Sequence, residues 1–267
     1  MKKPVALLLA LLLALSLCAC GESSGYGVKT VETLVEQDYS LAFRTDDPII
    51  YYVVGALQEL AAEGKVDELS MKWFGSTAVE FDKNANALDA VRVPEGKTLK
   101  VGVDTDSFPF AYKDANGVMW GYDVELAGYV CEKLGWELSL QQIRTDDVYV
   151  ELSSGNIDVA WGGIARDEDL IETGKYTEYG PYIHNDIVIA ARGGSGINKG
   201  NIKGKRLAMT VSEEAAEALE TMPKLSKKLS QIIQLSGGAT ECFEYLYSGK
   251  CELVLADSTA MLYFNAR

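Results

Sequence analysis

Histidine is almost missing from this chain: His184 is the only one among 267 residues. With a single imidazole, neither a His-based metal site nor a catalytic triad is expected. Cysteine is sparse as well. Of five, Cys18 and Cys20 fall in the first twenty residues, which leaves the odd set Cys131, Cys242 and Cys251. Buried thiols are the expectation for these three, ahead of a bridge between Cys242 and Cys251. Positive charge is in deficit, with 25 Lys and Arg against 39 Asp and Glu, a net charge of −14. Such a chain is not suited to nucleic acid or to anionic lipid. A membrane-length apolar run is absent too. Val5 to Leu17 is shorter than the roughly 20 residues that a spanning helix needs.

What is present begins with an export signal. Lys2 and Lys3 precede that apolar run, and Leu17-Cys18-Ala19-Cys20-Gly21 follows it. A cationic head before an apolar core of this length fits a secretory signal peptide. The Leu-Cys-Ala-Cys step resembles the lipobox of bacterial lipoproteins, which makes residues 1–20 the signal segment and Cys20 the expected lipidation site. Residues 21–27 read as a tether. The remainder is about 248 residues long and, with 48% apolar residues over the whole chain, can bury a core.

The patterning alternates strands with helices. Asp47-Pro48 opens a helix carrying Val53, Leu57 and Leu60, and Gly64 stops it. A second helix runs from about Val66 to Phe74. Gly75 to Gly96 is polar and reads as a linker. Leu99–Val103, Ile157–Trp161, Ile187–Ala191, Gly204–Met209 and Leu253–Asp257 read as strands. Asp123 is expected to cap a helix with Leu126, Val130 and Leu134 inward, and Ser212 to cap another. This order implies α/β layers.

Particular motifs sharpen the reading. Gly102-Val103-Asp104 followed by Phe108-Pro109-Phe110, Asn116-Gly117 and Gly121-Tyr122-Asp123 resembles the opening of the extracellular solute-binding protein family 3. Leu152 to Asp158, Gly180-Pro181-Tyr182, Ile202 to Leu207, and Leu246 through Asp257 resemble later steps of the same family. Its closing segment is found at the front instead: Tyr39 to Pro48, the helix to Leu60, and Lys72-Trp73-Phe74-Gly75. Residues 28–75 therefore match the family's end and 97–267 its beginning and middle, a circular permutation in which 76–96 joins the old termini. The resemblance implies a two-lobed α/β fold of the periplasmic binding protein type 2 class, with lobe 1 at 97–186 and lobe 2 at 187–267. It also places Tyr39–Arg44 beside Asp186–Ala191 at the hinge.

The same resemblance implies a ligand cleft between the lobes. Asp257 matches the aspartate that binds a ligand ammonium, and Asp104 a pocket aspartate. Ser107 stands where the family usually has a stacking aromatic, and Phe108 lies next to it. Gly162 and Gly163 follow a strand into the cleft, and Ser212 starts a helix there. The family's carboxylate-binding Arg position holds Leu170, and its Thr position holds Asp167. Arg166 is the neighbouring candidate for a bidentate grip. Glu213 beside Ser212 opposes an anion, so a more cationic ligand enters consideration. The expected role is a lipid-anchored extracytoplasmic receptor of an amino-acid ABC importer. It would act as a monomer, need no cofactor and touch the membrane by its anchor only. A ligand-sensing lipoprotein without transport, and an enzyme on the same fold, are the alternatives.

Overall fold

A computed structural model describes residues 27–114 and 116–267. The signal segment with Cys20, and most of the tether, lie outside the described residues. Two 16-residue strands, β1 (Val28–Phe43) and β7 (Thr177–Arg192), run antiparallel through the middle of one eight-stranded sheet of order β5-β2-β6-β1-β7-β10-β8-β9. On one side of this pair β2 (Thr98–Val103) lies parallel to β5 (Glu137–Gln142) and β6 (Val159–Ala160). On the other, β8 (Arg206–Thr210) lies parallel to β9 (Gln231–Leu235) and β10 (Leu253–Asp257). A short hairpin, β3 (Tyr112–Lys113) with β4 (Met119–Trp120), stands apart. Two parallel blocks joined by two long strands are two lobes on a hinge.

The helices cover the sheet faces. α1 (Ile49–Ala62), α2 (Lys65–Phe74) and α3 (Tyr122–Leu134) bury Val53, Leu57, Trp73, Phe74, Leu126 and Val130 against Leu41, Phe43, Leu99 and Val101 in lobe 1. α4 (Val148–Ser154) and α5 (Glu168–Glu172) complete that lobe. In lobe 2, α6 (Glu213–Glu220), α7 (Pro223–Ser226), α8 (Gly238–Tyr247) and α9 (Ser258–Asn265) lie on both faces. Side chains alternate along a strand, so Leu253 and Leu255 join one core while Val254 and Ala256 join the other. That two-sided burial explains why β10 reads as an unbroken apolar run.

Three expectations need correction. β1 and β7 pair as expected, but Tyr39–Phe43 lies beside Thr177–Ile183, while Glu36 opposes Asp186 and Val28 opposes Arg192. Tyr39, Leu41 and Phe43 belong to the lobe 1 core with Tyr182, and burial of one face sets the register. Next, Gly121 occupies the cap position of α3, and Asp123 is the second residue of its first turn, fully buried. Finally, Ile157–Trp161 contributes only Val159 and Ala160 to the sheet. Residues 76–97 carry no helix or strand, and they are fastened down. Ser70 Oγ accepts from the backbone N–H of Ala78 and Val79, and Phe81 stacks on Tyr179 and Tyr182.

The free cysteines Cys131, Cys242 and Cys251 are all buried. Burial pushes the Cys242 thiol up to about 12 and the other two to about 11, so they are inert apolar fillers at neutral pH.

Candidate functional site

Strand ends of both lobes face one another across the hinge. β2 hands over to Asp104, Thr105 and Asp106, β8 to Val211 and Ser212, and β10 ends on Asp257. Crevices at the carboxyl ends of parallel strands are where α/β layers bind ligands. The main cavity there has a volume of about 540 Å³. Asp104, Asp106, Arg144 and Asp146 line it from lobe 1, and Ser212, Glu213, Glu214 and Glu217 from lobe 2. A small slot of about 40 Å³ shares Asp106, Ser212 and Glu214 with that cavity and also touches Thr210, Ile187, Leu255 and Asp257. A third cavity of about 440 Å³ runs from Asp106 past Phe108, Tyr112 and Lys113 to the start of α8.

Asp257 is held in place by the hinge strands. Asn185 of β7 donates from Nδ2 to its Oδ1 at 2.7 Å, and the Tyr39 hydroxyl of β1 lies 3.5 Å from the same oxygen. Asn185 is itself fully buried, and Thr259 donates to its Oδ1 from both N–H and hydroxyl. The amide therefore has one orientation open to it, and that orientation aims a donor at Asp257. Burial pushes the Asp257 carboxyl up to about 6, with these hydrogen bonds pulling the other way. Glu214 keeps part of its surface in solvent, yet its carboxyl is desolvated and rises to about 7, with the Asp257 charge as the second cause. Asp106 is raised by burial and then by Asp104. Asp104 accepts from Thr145 N–H and Oγ1 at 3.2 and 3.1 Å.

Positive charge in the cleft is already spoken for. Arg144 of lobe 1 donates to Glu213 of lobe 2 at 3.0 Å and also pairs with Asp146 at 3.5 Å, a surface latch between the lobes. Lys113 donates to Gln142 Oε1. Ser212 caps α6 by accepting from Ala215 N–H.

Not every expected residue comes to these cavities. Asp104, Phe108, Ser212 and Asp257 line them. Phe108 is only 8% exposed and packs among Tyr112, Tyr263 and Phe264, so it is a wall of the third cavity and a core residue at once. Ser107, Gly162 and Gly163 form a tight knot beside the cleft. Gly163 has φ +66°, and a Cβ there would fall 2.6 Å from Ser107 Cβ, so only glycine fits. Asp123 locks this knot: its Oδ2 accepts from Gly163 N–H at 2.9 Å and from the Tyr182 hydroxyl at 2.5 Å. Burial raises the Asp123 carboxyl to about 7 against those bonds. Arg166 is committed elsewhere, to Glu178 at 2.8 Å and Glu168 at 3.2 Å. Asp167 caps α5 by accepting from Leu170 N–H.

Sequence reasoning missed Tyr39 and Asn185 as supports of Asp257, and Asp106, Arg144 and Glu214 as cleft residues. A signal existed for two of them. Asn185 is a polar residue beside an apolar strand run, and Glu214 continues the acidic start of α6.

Two lobes closing on a polar cleft define a solute-binding protein, with the site between strand ends that neither lobe completes alone. A family model of bacterial extracellular solute-binding proteins, family 3, matches residues 99–259. The chain belongs to that family, whose members it resembles are binding proteins and not enzymes. It is 28% identical over 192 residues to a protein of Haemophilus influenzae described as a probable amino-acid ABC transporter-binding protein, covering 70% of this chain and 71% of that one. It is 28% identical over 131 residues to the L-cystine-binding protein TcyJ of Escherichia coli K12, covering 48% of each. The chain thus spans about half the length of some curated relatives it matches. A solved ancestral cationic amino acid solute-binding protein shares the fold, with a TM-score of 0.50 and 23% identity over 61% of this chain and 71% of that one. No helix among the described residues is long and apolar enough to cross a membrane.

Proposed function

We propose that this chain is the lipid-anchored extracytoplasmic receptor of an ABC importer and takes an amino acid or amine-like molecule into the interlobe cleft. The observation that carries the reading is Asp257, a carboxyl held at the cleft by both hinge strands. An ammonium group is the natural partner for a desolvated carboxylate whose two side-chain hydrogen bonds fall on one oxygen. Relatives described as amino-acid- and cystine-binding proteins support the same ligand class. The leader and Cys20 support export and anchoring. Closure of the lobes over the ligand would remove water and strengthen each polar contact.

A thermal-shift screen tests this. Amino acids, short amines and polyamines at about 100 times Kd should raise the melting temperature by the equivalent of about 2.7 kcal/mol for a true ligand. A flat response across all of them removes the receptor reading.

The order of the segments is part of the proposal: the family's domain is circularly permuted here. Val28 N–H donates to Asn265 Oδ1 at 2.6 Å and Asn265 Nδ2 donates to Val28 O at 3.0 Å, so the start of β1 adjoins the end of α9. β1 fills the place between β6 and β7. A joint between neighbouring ends costs little. A reordered chain running 76–267 and then 27–75 through a short Gly-Ser link, which keeps the packed segment with Val79 and Phe81, should fold with a melting temperature within about 5 °C of the parent, a shift of about 1–2 kcal/mol for a chain this size. An unfolded product would show that the permuted order is not a rearrangement of one domain.

A further inference from the structure

We infer that the cleft selects a ligand with two cationic groups and no carboxylate, a linear diamine or guanidino-amine. This deepens the receptor reading and rests on it.

Charge is the first observation. Asp104, Asp106, Asp146, Glu214 and Glu217 line the main cavity together with Glu213, and Asp257 ends the slot. Opposing them in the main cavity is one guanidinium, Arg144, which is bound to Glu213 and Asp146. A ligand carboxylate would have to break that latch or meet a ring of like charge, and like charges brought together repel. The start of α6 offers no anion seat either. Its first turn carries Glu213 and Glu214, and Ser212 already takes one of its N–H groups. Arg166, the expected carboxylate partner, is engaged with Glu178 and Glu168.

Shape is the second. The slot, at about 40 Å³, matches a single small group, since one water in the liquid occupies about 30 Å³. Asp257 closes it. Both side-chain bonds to Asp257 end on Oδ1, which leaves Oδ2 without a side-chain donor. The slot's apolar wall of Ile187, Leu255 and Ala256 suits the carbon next to an ammonium. From Asp106 and Glu214 the space widens into the acidic trough, so a chain leaving the slot delivers its far end to Asp104, Asp146 and Glu217. A metal ion fits the geometry less well, because among the described residues no three His, Cys, Asp or Glu side chains converge as ligands.

The test pairs molecules that differ by one carboxylate. Agmatine against arginine, and cadaverine against lysine, are titrated calorimetrically into the full chain in mild detergent at pH 8, with glutamine and cystine as neutral-side-chain and disulfide controls. The expected result is that each decarboxylated member binds at least tenfold tighter than its amino acid. Arginine or lysine binding as tightly as its amine overturns the inference. Binding of glutamine or cystine alone also overturns it, while leaving the amino-acid receptor reading intact. No binding by any of the six overturns the inference and counts against that reading too.

Discussion

Replacing Asp257 with Ala should weaken binding of an amine ligand by more than tenfold. Removing one partner of a desolvated charge pair costs about 2–5 kcal/mol, and about 1.4 kcal/mol is one decade in affinity. The carboxyl meets the cleft at the end of β10, with Asn185 and Tyr39 holding one of its oxygens. Asp257→Asn keeps the shape and removes the charge, so it should lose nearly as much while retaining the parent melting temperature. That pairing separates a binding defect from a folding one. The same groups set a pH profile. Asp257 is raised to about 6 and Glu214 to about 7. Both must ionise to receive a cation, so affinity should rise from pH 5 to pH 8 and then level off, with protons released on binding between about pH 5 and 7. Tyr39 stays a neutral hydroxyl throughout, since burial and the Asp257 charge hold it well above its ordinary value. Equal affinity in the parent and Asp257→Ala would remove the basis for an amine ligand.

The second large effect concerns stability. Asp123→Ala should destabilise the fold by about 2–5 kcal/mol, because it strands the Gly163 N–H and the Tyr182 hydroxyl, two buried donors at about 1–3 kcal/mol each. Asp123 is 1% exposed, so water cannot replace it. Asp123→Asn should cost less: both bonds end on the same oxygen, and an amide oxygen can accept both. The remaining oxygen has no well-aligned partner, with Trp161 Nε1 close by and likewise unsatisfied. The pH dependence has a definite sign. The folded carboxyl is raised to about 7 from 3.8, so the unfolded chain loses this proton first. The folded state then binds more protons between those values, and stability falls as pH rises through that window. Urea unfolding at pH 5 and pH 8 should show the parent less stable at pH 8, with a smaller difference in Asp123→Asn. Asp123→Ala within about 0.5 kcal/mol of the parent would mean that the carboxyl does not anchor the Gly162-Gly163 turn.

Much of this molecule was written in local patterns. Leu253–Asp257 and Ile187–Ala191 are apolar runs because helices cover both faces of their sheet, and a run buried on two sides is visible without coordinates. Gly64 ends α1 in a left-handed turn, and Ser212 caps α6, because both act within a few residues of themselves. The family motifs were equally legible. So were the places of Asp257, the last residue of β10, and Asp104, just after β2, at strand ends that face the crevice.

Partnership was not legible. Arg166 looked free to grip a carboxylate, but Glu178, distant from it on β7, faces it across the turn and takes its guanidinium. Asp123 resembled a helix cap because it stands at a helix start. Its real partners, Gly163 and Tyr182, are 40 and 59 residues away. The pairing of β1 with β7 could be expected from the chain, whereas its register could not, since one residue of slip exchanges the two faces and only the packed core chooses between them. The acidity of the chain was plain in its composition. That seven of its carboxyls gather around one cleft, with its one guanidinium already engaged, was decided by the closing of two lobes on a hinge, because charge added along a sequence carries no information about which charges meet.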